Sequence, residues 1–166
     1  MAVLTRQANT ACTLALTTLL LAPWQAARAD SVVDVQGLLQ ALQSAGTEIA
    51  AGNCNQKGLY GFYRPKDDQM VICVNNFVQK DPGYLWDVLA HESTHKMQAC
   101  IGGHIMPSTH VGRMMRELRA TNPETLNDLA AYPSAQFRLE LEARWMELQA
   151  PQDVITLLKA ACRVRG

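Results

Sequence analysis

The chain lacks net charge, a run of like charges, an internal repeat and any low-complexity tract. Lys and Arg number 15 against 15 Asp and Glu. That balance argues against nucleic acid or an anionic membrane surface as the main partner. Long hydrophobic runs are lacking too. The most apolar stretch, Leu14 to Ala22, is interrupted by Thr17 and Thr18 and is too short to cross a bilayer comfortably. No C-x-x-C pair occurs, which argues against a zinc knot made of four cysteines.

What the N-terminus does have is the pattern of an export signal. Arg6 supplies a positive start, Leu14 to Ala22 a short apolar core, and Ala27-Arg28-Ala29 a small-x-small cleavage site before Asp30. The expectation is a signal peptide over residues 1–29, removed on export, and a single domain over 30–166, periplasmic or secreted and not membrane-bound. A retained N-terminal anchor is the alternative. Cys12 precedes the apolar core, so a lipoprotein cysteine does not fit. Removal of 29 of 166 residues leaves 137, with Arg6 and Arg28 gone and 13 basic against 15 acidic residues remaining. That length supports one modest core. Cys54, Cys73, Cys100 and Cys162 remain. An even number in a small exported domain predicts two disulfides, with all three pairings open.

The predicted elements make a mainly helical α+β domain with a small N-terminal β-hairpin or sheet. Asp34 caps a helix that carries an apolar stripe (Val35, Leu38, Leu39, Leu42, Ile49, Ala50) to about Ala51, with Gly52 ending it. Leu59–Tyr63 and Met70–Val74 are β-rich runs on either side of Arg64-Pro65-Lys66-Asp67-Asp68, a turn signal. Asp81-Pro82 opens a long helix, with Asp as N-cap and Pro in the first turn, and Gly102-Gly103 stops it. Shorter helices follow around Gly112 to Ala120, after Thr121-Asn122-Pro123, from Pro133-Ser134 to Gln149, and from Pro151 onward.

Inside the long helix lies His91-Glu92-Ser93-Thr94-His95, an H-E-x-x-H pattern. Histidines four apart share one helix face, so their imidazoles can converge on one metal ion. The Glu beside the first His reaches a water there without ligating the metal. Tyr84, Asp87, Val88, His91, His95 and Gln98 fall on the same side of the wheel, while Leu85, Trp86, Leu89, Ala90, Met97 and Cys100 fill much of the remainder. The helix is therefore expected to be buried, with both histidines at the bottom of a cleft. Asp87, one turn before His91, is a candidate outer partner for its imidazole, or a first-turn acid complementing the helix dipole.

A catalytic zinc takes three protein ligands and keeps one open position. The metzincin arrangement would need Gly at Gln98 and His at Ile101, and has neither. His104 and His110 come later, in loop-like sequence. The other source is a distal helical carboxylate, Glu140 or Glu142. Gln136, Glu140, Arg144 and Glu147 form a polar face, where Glu140 can pair with Arg144. Glu142 lies between apolar arcs and needs a charge partner, which zinc would provide and Arg138 could replace. The wheel thus favours Glu142 as third ligand.

With His91, Glu92, His95 and Glu142 in that pattern, the chain resembles the gluzincin metallopeptidases, which join H-E-x-x-H to a distal helical Glu. A narrower stretch is similar to the mitochondrial intermembrane-space metallopeptidases of ATP synthase assembly and to small exported bacterial proteins. It runs from Ile72-Cys73-Val74-Asn75 through the histidines to Cys100. The resemblance covers under a third of the mature chain and implies a zincin fold with zinc-dependent cleavage of peptide or protein substrates. His91, His95 and Glu142 would hold Zn²⁺, Glu92 would act as general base, and one of Tyr84, His104, His110, Arg113 or Tyr132 would stabilise the oxyanion. The chain lacks the metzincin Met-turn, and as it is far shorter than the multi-domain gluzincins the expectation is that a second substrate-binding domain is absent. Two rival expectations are a non-catalytic exported binding domain whose zinc has a fourth protein ligand, such as His104, and a disulfide-stabilised partner with no metal.

Overall fold

A computed structural model describes residues 32–77 and 82–163. The expected signal segment and the Asp81 cap lie outside the described residues. Helix α1, Val32–Ser44, buries Val35, Leu38, Ala41 and Leu42 at helical spacing. It stops well before Ala51. Gly46 adopts a left-handed conformation at φ +88°, Gly46 N–H donates to the Gln43 carbonyl, and Thr47 N–H donates to that of Leu42. This is a Schellman stop, which glycine alone adopts without strain. The residues beyond it form a strand, β1 (Glu48–Gly52), so Ile49 and Ala50 belong to a sheet and not to the helical stripe.

The expected hairpin is present as β2 (Gly61–Arg64) and β3 (Gln69–Cys73). The strand order is β1-β3-β2. β1 runs parallel to β3, with Glu48 opposite Gln69 and Gly52 opposite Cys73, and β2 runs antiparallel, with Gly61 opposite Ile72. β2 is thus an edge strand. The disulfide Cys54–Cys73 ties the end of β3 to the loop after β1, and Asn75 and Asn76 side chains hold that loop through the backbone of Cys54, Gln56 and Leu59.

Helix α2, Pro82–Ile101, is the spine. Helices α1, α5 and α6 and strand β2 all pack on it. Trp86, Leu89, Ala90 and Met97 enter the core. Its buried hydroxyls bond back along the helix, Ser93 to the Leu89 carbonyl and Thr94 to that of Ala90. Lys96 is buried against the hairpin turn, where its Nζ lies 2.6 Å from Asp68 Oδ2. Thr47 and Tyr63 hydroxyls donate to the other oxygen of Asp68. Burial pushes the Asp68 carboxyl up, and the bonds from Lys96 and Tyr63 outweigh it, leaving it below the usual carboxylate range. One carboxylate therefore fixes helix, turn and α1–β1 corner together.

Gly61 decides how near β2 comes to α2. A Cβ there would stand 2.7 Å from Val88 Cγ1 and 3.1 Å from the Val71 carbonyl. Only glycine lets the strand settle against the helix beside Glu92. The remaining helices are α3 (Val111–Thr121), α4 (Glu124–Leu129), α5 (Ser134–Met146) and α6 (Pro151–Ala161). α6 opens on proline and buries Val154, Ile155 and Leu158. The disulfide Cys100–Cys162 joins the end of α2 to the residue after α6, closing a long loop, a link of the kind that stabilises by about 2–4 kcal/mol. Two disulfides and a mainly helical α+β domain agree with the sequence expectation. No helix among the described residues is long and apolar enough to cross a membrane.

Candidate metal centre

The face of α2 picked out by the wheel is the floor of a cleft of about 1200 Å³. Tyr84, Asp87, Val88, His91, His95 and Gln98 all line it. The edge strand β2 and the loop before it form one wall. Leu139, Glu140 and Arg144 of α5 and Glu147, the residue that follows it, form the other.

At the centre, His91 Nε2 and His95 Nε2 are 3.2 Å apart. Glu140 approaches both, with Oε2 3.5 Å from His91 Nε2 and Oε1 3.6 Å from His95 Nε2. One donor atom from each of the three lies within 4.8 Å of the others. The outer imidazole nitrogens are engaged elsewhere: His91 Nδ1 lies 2.8 Å from Glu147 Oε1 and His95 Nδ1 lies 2.9 Å from Gln98 Oε1. Oxygens only accept, so each Nδ1 carries the proton and each Nε2 presents a lone pair. Two lone pairs and a carboxylate then face one another across a few ångströms. That arrangement is repulsive unless a cation stands among them. Two imidazole nitrogens and one carboxylate form a donor set that suits zinc. Glu147 is in turn held by Arg144, whose Nη1 donates to Oε1 at 3.1 Å.

Without metal, a proton is the cation at hand. Burial works against a charge on His91, but hydrogen bonds to Glu140 and Glu147 overcome it and raise its pKa to about 9. The same contacts act in reverse on Glu140. Burial pushes it up, the bond to His91 and the nearby charge of His95 pull it down, and the net direction is below the usual carboxylate range. A histidine raised in the folded state contributes stability that is complete below its unfolded pKa of about 6.5. That contribution disappears as pH rises through about 9. Protein treated with chelator should therefore show a urea midpoint that falls between these limits. A midpoint independent of pH across this window would contradict the assigned contacts.

Glu92 is buried beside the pair. Burial raises its pKa most, the charges of His91 and His95 lower it, and a backbone hydrogen bond from Tyr63 lowers it further, with the net shift upward. A carboxyl raised in this way is suited to hold a proton and release it. Of the expected oxyanion donors, Tyr84 and Tyr132 line the cleft. Arg113 bonds Glu117 and stacks on Trp145, and His110 sits against Thr109 in a short turn.

Glu142, the carboxylate the wheel favours, is placed elsewhere. It is fully buried. Its Oε2 accepts from Ile105 N–H at 2.9 Å and Gln98 Nε2 at 3.2 Å, its Oε1 accepts from Met106 N–H at 3.3 Å, and Arg138 Nε lies 3.5 Å away. His104 stands beside Glu142, at 3.6 Å, and belongs to this second group. The buried carboxylate does need partners, but two backbone N–H groups, an amide and Arg138 supply them. The polar face of α5 is the one that meets the histidines. Arg144 bonds Glu147, and Glu140 turns to the cluster. Glu147 and Gln98 carry no role in the sequence reading. Their signal was their wheel position, on the faces that hold Glu140 and His95.

Fold and site together define a small α+β domain built around a cluster of two histidines and one carboxylate at the floor of a cleft. The chain belongs to the family described as a domain of unknown function, DUF8637, whose model matches residues 32–163 and so takes in the whole cluster. No curated protein and no solved structure matches it.

Proposed function

We propose that the protein is an exported, zinc-dependent metallopeptidase in which His91, His95 and Glu140 hold the metal and Glu92 is the general base. One observation carries the reading. Glu140 converges on His91 and His95 while Glu92, next in sequence, stands buried beside them in an open cleft. Zn²⁺ bound there would act as a Lewis acid, lowering the pKa of a water towards about 7 and polarising a carbonyl.

The chain's own groups do the rest. Glu92 takes the proton from the attacking water as oxygen adds to the scissile carbonyl carbon. It then gives that proton to the departing amine nitrogen as the C–N bond breaks. Among the described residues β2 is paired on one side only, and Gly61, Phe62 and Tyr63 line the cleft, so an extended peptide can bind along the strand through backbone hydrogen bonds. Tyr84 and Tyr132, the two expected oxyanion donors that line the cleft, are phenols that stay protonated at neutral pH and can donate. The N-terminal signal pattern and the two disulfides support export to an oxidising compartment.

A non-catalytic zinc-binding domain would need a fourth protein ligand. Among the described residues the cluster has three, and His104 lies with Glu142. The test is metal analysis of the purified protein followed by digestion of a broad peptide library with and without chelator. The expected result is one zinc per chain and cleavage that chelation stops and added zinc restores. Zinc without cleavage would point to the binding domain, and absence of zinc would overturn both.

A further inference from the structure

Gln98 follows His95 by three residues on α2 and is buried. Its amide nitrogen donates to the Leu139 carbonyl at 3.0 Å and to Glu142 Oε2 at 3.2 Å. Both partners are acceptors only, so both amide hydrogens are committed. Turning the amide over would set its oxygen against a carbonyl and a carboxylate and leave buried acceptors without donors, a cost of about 1–3 kcal/mol for each group. The orientation is therefore fixed, and Gln98 Oε1 faces His95 Nδ1 at 2.9 Å. An oxygen there obliges His95 to carry its proton on Nδ1 and leaves the Nε2 lone pair for the cleft.

Glu142 is the anchor of this arrangement. Ile105 N–H, Met106 N–H and Arg138 hold its two oxygens in place, and Arg138 also donates to the Met106 carbonyl. A neutral amide suits the position better than a carboxylate, because a second buried anion would face Glu142 with no cation between them. His91 has the carboxylate of Glu147 as outer partner, on the half-exposed side where Arg144 balances it.

We infer that Gln98 is a positioning residue of the metal centre, with Glu142 as its anchor, that fixes His95 in the tautomer which ligates through Nε2. The inference rests on His91, His95 and Glu140 being the ligands. Outer-shell partners of this kind change metal affinity by about 10- to 100-fold.

The experiment pairs zinc competition with long-range proton–nitrogen NMR of the histidine rings, on wild type and Gln98→Met. Wild type should show His95 protonated on Nδ1, with zinc perturbing Nε2. Gln98→Met, which keeps the side chain's volume, should bind zinc about 10- to 100-fold more weakly. Its metal-free form should melt below wild type, because the Leu139 carbonyl and Glu142 Oε2 each lose a donor, and its His95 Nδ1 proton should exchange faster with water. Zinc on His95 Nδ1 in the wild type would overturn the inference without any variant, and so would equal affinity in Gln98→Met. If zinc perturbed no histidine of the wild type, the metallopeptidase reading would fall. The tautomer of His95, read from the same spectra, would still decide whether Gln98 holds it.

Discussion

Replacing Glu140 by Gln should lower zinc affinity by about 100- to 1,000-fold, the share of one ligand in a total of roughly 10–16 kcal/mol for a fully ligated site. Replacing Glu142 by Gln has a different effect. Glu140 is half-buried and its two oxygens point at His91 Nε2 and His95 Nε2. A glutamine there keeps the shape but loses the negative charge and puts an N–H₂ where a lone pair is needed. Glu142 meets three hydrogen bonds and Arg138, and a glutamine offers one acceptor oxygen in place of two. Removing one side of a buried charged group's interactions costs about 3–5 kcal/mol, so Glu142→Gln should lower the urea midpoint sharply. Zinc affinity of the molecules that remain folded should change by about tenfold or less, acting through Gln98. Isothermal titration and urea denaturation on the two variants separate these outcomes. If Glu142→Gln lost zinc and Glu140→Gln kept it, the ligand assignment would be reversed.

Glu92→Gln should leave the metal in place and remove cleavage. Glu92 is buried next to both histidines and takes a backbone hydrogen bond from Tyr63. The amide oxygen of a glutamine can still accept that bond, so packing against β2 survives. The proton relay does not, because an amide at neutral pH neither takes a proton from water nor returns one to an amine. General acid–base catalysis contributes about 10²- to 10⁴-fold, and kcat should fall by at least that range while zinc content and melting temperature stay near wild type. A variant that digested peptides at the wild-type rate would sink the role given to Glu92.

Much of this architecture was legible in residues whose meaning is local. The i, i+4 spacing of His91 and His95 fixes one face of a helix. Pro82 and Pro151 mark helix starts, and the turn from Arg64 to Asp68 marks the hairpin. The wheel of α2 named six of the residues that floor the cleft. What is not legible is what a distant partner decides. Gly46 stopped α1 through a six-residue capping motif, and β1 became visible only through its pairing with β3. Glu142 stands out on the wheel as a carboxylate among apolar neighbours. Its burial follows from those neighbours, whereas the groups that satisfy it, the backbone N–H of Ile105 and Met106, come from a distant loop that no wheel displays. Glu140 looked like half of a surface pair with Arg144, because a wheel shows which residues share a face and not what the face meets.

The most direct test of the central assignment is anomalous diffraction at the zinc edge from crystals of the zinc-loaded protein. The account predicts one peak about 2.0–2.2 Å from His91 Nε2, His95 Nε2 and a Glu140 oxygen, with the fourth position open to water on the side of Glu92. A peak beside Glu142 and His104, or one closed by four protein ligands, would contradict it.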